Sequence, residues 1–167
     1  SMFLDPFCGS GTILQEALLL GYKHVLGSDR DPLAIKRTEQ NLASQKLHAE
    51  SLVDYDARHI TQKISRVDVI VSEGDLGPSR FTPFSLGGLI PQMKIFYREV
   101  FLEFKKLGVK KVVFAFPSWR LGEKIKSLNI SKELESLGFH LEKKFFYGRP
   151  DAHVLREIMV FSIAGSA

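Results

Sequence analysis

Short apolar runs alternate with helically spaced apolar positions through the first half of the chain. Phe3-Leu4, His24–Asp29 and Val67–Ser72 read as strands, the last a β-branched run suited to the centre of a sheet, and Ser51–Ala57 reads as a third strand followed by a loop. Ile13–Leu20 reads as a helix stopped by Gly21. A second helix is expected from about Pro32 to Leu47, with Asp31 as N-cap, Pro32 as first residue, and Leu33, Ala34, Ile35, Leu42 and Leu47 as its buried stripe. Strands and helices in alternation build a parallel sheet with helices on its faces, so the fold class is α/β.

The second half continues the pattern with an interruption. Residues 77–91 hold Gly77, Pro78, Pro83, Gly87, Gly88 and Pro91 and read as a loop at the edge of a site. Met93, Phe96, Tyr97, Val100, Phe101, Phe104 and Leu107 then recur at helical spacing as core residues. Val112–Phe116 is the fifth strand, closed by Pro117-Ser118-Trp119. A helical region broken near Asn129 is expected next, with Leu134 and Leu137 apolar and Gly138 as its stop. Phe139–Tyr147 and Val154–Ala164 are two strand-like runs joined by a turn, which predicts an antiparallel hairpin at the sheet edge. Trp119 falls at a strand's carboxyl end, where it either lines a cleft or packs in the core.

The chemistry concentrates in Asp5-Pro6-Phe7-Cys8-Gly9-Ser10-Gly11-Thr12. Two glycines between a strand and a helix allow a tight turn and a close approach of backbone to a ligand, with Ser10 or Thr12 as cap. A dinucleotide fingerprint needs a third glycine, and Leu14 stands there. Asp5 before the turn would repel a diphosphate and attract a sulfonium or ammonium, which favours S-adenosylmethionine over a nicotinamide cofactor. Asp29, at the end of the second strand with Arg30 behind it, is placed to accept from a ribose diol. Cys8 reads as a small buried residue rather than a nucleophile.

The string Asp5 to Thr12 resembles motif I of the S-adenosylmethionine-dependent RNA methyltransferases that modify guanine at its exocyclic amine, the THUMP-associated and tRNA guanine-N2 group. The resemblance runs over the whole chain and weakens after residue 80. It implies a Rossmann-like class I methyltransferase fold, a seven-stranded mostly parallel sheet ending in an antiparallel hairpin. It also implies cofactor contacts from Asp5, Pro6, Phe7, Cys8, Gly9, Ser10, Gly11, Thr12, Asp29, Arg30 and Ser72, and from Asp56-Ala57 after the third strand, with Asp54 a competing acid. After the fourth strand such enzymes carry an acid or amide, a proline and an aromatic ring that hold and stack the base. Ser72-Glu73-Gly74-Asp75-Leu76-Gly77-Pro78 keeps the acid and replaces the proline and the ring. Glu73 and Asp75 are the candidate catalytic residues, and Phe81 or Phe84 could supply a ring from the next loop.

The implied activity is methyl transfer to a base amine of RNA, guanine in tRNA first. The alternatives are a domain that keeps the cofactor pocket and serves as an RNA-binding or partner module, or a DNA amine methyltransferase. The chain opens directly on a core strand as a single domain. An upstream RNA-binding domain or a partner subunit is the expected source of further contacts.

Charge adds a partner. The 167 residues carry a net charge of +4. Residues 1–93 hold 9 Lys and Arg against 11 Asp and Glu, and residues 94–167 hold 14 against 8. The acidic half contains the cofactor motif and the basic half suits a phosphate backbone, with Arg149, His153 and Arg156 gathered at the terminal hairpin. One cysteine and the lack of an 18-residue apolar run point to a reducing, cytoplasmic setting without a membrane span. No metal-ligand cluster is visible, so no metal is expected.

Overall fold

The computed structural model describes residues 1–163. β1 (Met2–Asp5) lies between two parallel neighbours, β2 (His24–Asp29) and β4 (Val69–Glu73), with Leu4 opposite both Leu26 and Ile70. β3 (Ser51–Asp54) extends the sheet beyond β2, and β5 (Lys111–Leu121) extends it beyond β4. β8 (Val154–Ile163) runs antiparallel to β5, and β7 (Phe139–Tyr147) runs antiparallel to β8 at the edge. The order is β3-β2-β1-β4-β5-β8-β7. The chain therefore turns from one side of β1 to the other between β3 and β4. Beyond the carboxyl ends of β1 and β4 this reversal opens a crevice, the place where open α/β sheets bind ligands.

Among the described residues, four helices and a short 3₁₀ turn cover the sheet. α1 (Thr12–Leu19) and α2 (Pro32–Ser44) follow β1 and β2, and a 3₁₀ turn (Ala57–Gln62) follows β3. α3 (Pro83–Lys106) brings Tyr97, Val100, Phe101 and Phe104, all fully buried, against Phe114 and Phe116 of β5 and Phe139 and Phe161 of the hairpin. Most of these rings meet edge to face or tilted, the arrangement their quadrupoles favour. α4 (Ser131–Ser136) adds Leu134 to the same core.

Several expectations change. Leu33 is 65% exposed, and Thr38 takes a buried place on α2 instead. α2 stops three residues early, leaving Leu47 half-buried. The loop expected over 77–91 ends at Thr82, where Thr82 and Ser85 form a capping box around Pro83. Gly87, Gly88 and Pro91 lie inside α3 on its solvent side. Leu86, Leu89, Ile90 and Met93 keep the inward spacing, and that packing outweighs the cost of residues that break exposed helices.

β5 does not end at Pro117. It continues to Leu121 and turns through Gly122 and Glu123 into an eighth strand, β6 (Lys124–Ser127), where a helix was expected. Gly122 has φ +64°, the left-handed conformation such a two-residue turn needs. Pro117 is tolerated because it stands between the end of the β4 pairing at Ala115 and the start of the β6 pairing at Ser118. Ala164, the expected end of the last strand, lies outside the described residues. No helix among the described residues is long and apolar enough to cross a membrane.

Candidate active site

The glycine turn after β1 is held from behind. Gly11 N–H donates to the Cys8 carbonyl at 2.8 Å, and Cys8 N–H donates to the Ser28 carbonyl at 2.9 Å. From α2, the Thr38 hydroxyl donates to the Gly9 carbonyl at 2.9 Å and Asn41 Nδ2 donates to the Ser10 carbonyl at 2.8 Å. Thr38 stands within 2.9 Å of where a Cβ on Gly11 would lie, so only glycine fits there. Sequence inspection misses this role of Thr38. Its signal is a polar residue standing one turn from Ile35 in an apolar stripe.

Neither Ser10 nor Thr12 caps α1. Gly11 is the N-cap, left-handed at φ +88°, and makes no side-chain cap bond. The first amides of the helix are therefore left without a side-chain oxygen. Gly9, also left-handed, has nothing within 4 Å of where its Cβ would be. Its far side is open to a ligand.

Asp29 joins this turn to the end of β2. Its Oδ2 accepts from Gly9 N–H at 2.9 Å and its Oδ1 accepts from Asp31 N–H at 3.0 Å. The fixed carboxylate then faces a cavity of about 440 Å³. Phe7, Arg30, Glu73, Gly74 and Asp75 line it from the sheet, and Leu89, Gln92, Met93, Phe96 and Tyr97 line it from α3. Three carboxylates and one guanidinium make this lining acidic, and the rings and aliphatic chains give an apolar wall. That set fits S-adenosylmethionine, whose sulfonium and ammonium are cations and whose adenine is flat, and it does not fit a diphosphate.

Asp5 is 1% exposed and is not one of the residues lining this cavity. Its Oδ1 accepts from the Ser72 hydroxyl at 2.5 Å and from Phe7 N–H at 3.1 Å. Its pKa is raised to about 7, chiefly by burial and further by Asp29 and Glu73, against the pull of the two donors. Ser72 thus serves Asp5 directly. Cys8 is buried, and burial pushes its thiol up to about 12, which suits a packing residue. Asp56 caps the 3₁₀ turn through Arg58 N–H and holds the Arg58 guanidinium at 2.7 Å, a partner that keeps its carboxyl below the usual range. That guanidinium lies 5.4 Å over the Phe96 ring, one residue from the cavity wall. Ala57 is buried and Asp54 is exposed at the end of β3.

The loop after β4 differs most from expectation. Glu73 receives both ends of the Arg156 guanidinium, Nε on Oε2 and Nη2 on Oε1, the second at 3.0 Å. Arg156 is therefore committed to a carboxylate. Asp75 closes a local turn, its Oδ1 accepting from Gly77 N–H at 2.8 Å. The rings facing the cavity are Phe7, Phe96 and Tyr97. Phe81 packs edge-on against Trp119 and Phe84 is 93% exposed, so neither supplies the ring expected of them. Trp119 is fully buried and belongs to the core.

Gly74 replaces a proline for a visible reason. A Cβ there would lie 2.2 Å from the Tyr97 hydroxyl and 2.8 Å from its ring. Tyr97 fills that space and donates to the Asp75 carbonyl at 3.0 Å, so α3 anchors the loop. Gly74→Pro is expected to destabilise the domain by about 2–4 kcal/mol in urea denaturation, from the overlap and from loss of the Gly74 N–H bond to Ala115. An unchanged midpoint would mean that Tyr97 swings away freely.

A methyltransferase domain family profile matches residues 1–145. Over 79 residues the chain is 38% identical to the tRNA (guanine(10)-N2)-dimethyltransferase of Methanothermobacter thermautotrophicus, covering 47% of this chain and 23% of that one. Over 75 residues it is 36% identical to the ribosomal protein L11 methyltransferase of Cellvibrio japonicus, covering 45% of this chain and 25% of that one. The chain thus spans about a quarter of the length of these curated relatives. Its fold is similar to that of TrmN from Thermus thermophilus, with TM-score 0.71 and 20% identity over 97% of this chain and 43% of that one. With the topology, the open glycine turn and the acidic cavity in place, the chain belongs to the methyltransferase domain family, and its methyl donor is S-adenosylmethionine.

Proposed function

We propose that this domain methylates an exocyclic amine of an RNA base, guanine in tRNA first, with Glu73 holding the amine. The observation that carries the reading is the place of Glu73. Its carboxylate stands at the carboxyl end of β4, on the cavity wall, oriented from behind by Arg156. A base amine is a poor nucleophile because its lone pair is delocalised into the ring. An acceptor on one N–H and a loop carbonyl on the other draw the lone pair out and aim it. Each Glu73 oxygen bonded to Arg156 keeps a second lone pair for that purpose.

Bound S-adenosylmethionine would supply a methyl group on a sulfonium, so that an N–C bond forms as the S–C bond breaks, and one of the amine's own protons would then leave to solvent. This chain's residues bind, orient and exclude water; no strong base is required. Phe96 and Phe7, both half-buried, give the base a ring surface from α3 and the turn in place of the missing loop aromatic. The relative that acts on guanine in tRNA supports the substrate class, as does the basic second half.

The other relative acts on ribosomal protein L11, so the test offers both. The domain is incubated with radiolabelled S-adenosylmethionine and either total RNA, DNA or ribosomal protein L11. Label in RNA, recovered as an amine-methylated nucleoside after digestion, is the expected result. Label in protein or DNA alone would overturn the reading. Cofactor binding with no transfer would favour a binding module, which the change to Gly74-Asp75 would then explain.

A further inference from the structure

We infer that the outer strand β7 is a stacking track for the single-stranded RNA that flanks the target base, built by Lys143, Phe145 and Tyr147. The inference rests on the RNA reading above.

Register places the three residues. Tyr147 pairs with Arg156 and Phe145 with Ile158, and Lys143 pairs with Val160. Residues directly opposite in a sheet share a face, so all three stand on the face that carries Arg156. Across the sheet, Ile158 pairs with Ala115 and Ala115 with Glu73. One row thus reads Glu73, Ala115, Ile158, Phe145, and the next row towards the carboxyl end holds Pro117, Arg156 and Tyr147. Phe145 is three strand spacings from Glu73, about 14 Å. At about 3.4 Å per stacked nucleotide, that is roughly four nucleotides, and fewer for an extended strand.

Chemistry chooses the occupant. Phe145 is 45% exposed and Tyr147 is 64% exposed, an unusual surface for two rings at successive same-face positions of an edge strand. Lys143 has no ion-pair partner among the described residues, and Arg149 is exposed in the turn that follows. Of the acids around the strand, Glu142 is paired with Lys111 and Glu73 with Arg156, while Asp151 sits in the turn. The sheet face that runs from Glu73 out to β7 therefore presents rings flanked by cations without ion-pair partners among the described residues. That combination suits bases on rings with phosphates on lysine and arginine, independent of sequence.

The test uses anisotropy of a fluorescein-labelled, uridine-rich RNA of about 12 nucleotides carrying one guanosine. Phe145→Ala with Tyr147→Ala is expected to weaken binding about 100-fold, about tenfold for each ring. Affinity for S-adenosylhomocysteine should not change. Lys143→Gln with Arg149→Gln is expected to reduce the salt slope by about 1–2. Equal RNA binding by wild type and the double alanine variant, with wild-type RNA methylation intact, would overturn the track and leave the activity standing. A wild type that neither binds nor methylates RNA would end the activity reading and the track with it. A wild-type dimer that the alanine variant converts to monomer would assign the face to self-association and overturn the proposal.

Discussion

Alanine in place of Glu73 is expected to lower methyl transfer to RNA by about 10²–10⁴-fold, the range typical of a positioned proton-handling group. Calorimetric affinity for S-adenosylhomocysteine should stay essentially unchanged, because the turn and Asp29 that hold the cofactor side are anchored independently of Glu73. The pairing with Arg156 sharpens the expectation. A carboxylate 34% exposed on a side chain with three rotatable bonds would otherwise sample several rotamers. The two-pronged guanidinium fixes one of them and keeps the group an acceptor. Arg156→Lys keeps the charge and loses the fork, so kcat should fall while KM for RNA moves little. A structural role alone would show as a loss of stability with kcat preserved. Unchanged turnover in Glu73→Ala would remove Glu73 from the mechanism altogether.

Much of the architecture is legible in the chain because local signals agree with the fold. Asp31-Pro32 starts α2, Gly21 follows α1, and the β-branched run before Glu73 is a central strand. The terminal hairpin follows from two strand-like runs with no helix between them. The failures share a different cause. Pro91 and Gly88 argue locally against a helix, and only the buried side of α3 overrules them. Pro117 argues against a strand, and only the change of partner from β4 to β6 makes room for it.

The site divides in the same way. The glycine turn and Asp29 carry their chemistry in short sequence windows, and the structure brings both to the crevice. Tyr97 and Gly74 are 23 positions apart, so the reason for the missing proline lies in a contact that no window contains. The same holds for Arg156, which looks like a free cation at a hairpin until β5 and β8 bring it to Glu73. Asp5 is legible as an acid at the turn but not as one shut away from the cavity, since that depends on Ser72 from the neighbouring strand.

Asp5 makes stability depend on pH in a way opposite to most carboxylates. Its carboxyl titrates near 7 in the fold against an ordinary 3.8, chiefly because burial penalises the charge. Between these values the native state holds a proton that the unfolded chain has released. This contribution is therefore fully present below pH about 4, and it is lost as pH rises through about 7. At about 1.4 kcal/mol per pH unit, the three-unit window corresponds to about 4 kcal/mol at most. Asp5→Asn stays neutral throughout and can still accept from Ser72 and Phe7 through its amide oxygen. The variant should match wild type in urea denaturation at pH 4 and exceed it by a few kcal/mol at pH 8. The same proton couples to the methyl donor. A sulfonium seated by the turn favours ionised Asp5, so wild-type affinity for S-adenosylmethionine should rise from pH 6 to pH 8 and the variant's should stay flat. S-adenosylhomocysteine lacks the sulfonium charge and should rise less in wild type. Parallel stability profiles for the two proteins would mean that Asp5 is ionised in the fold across this range, and the cost assigned to its burial would be wrong.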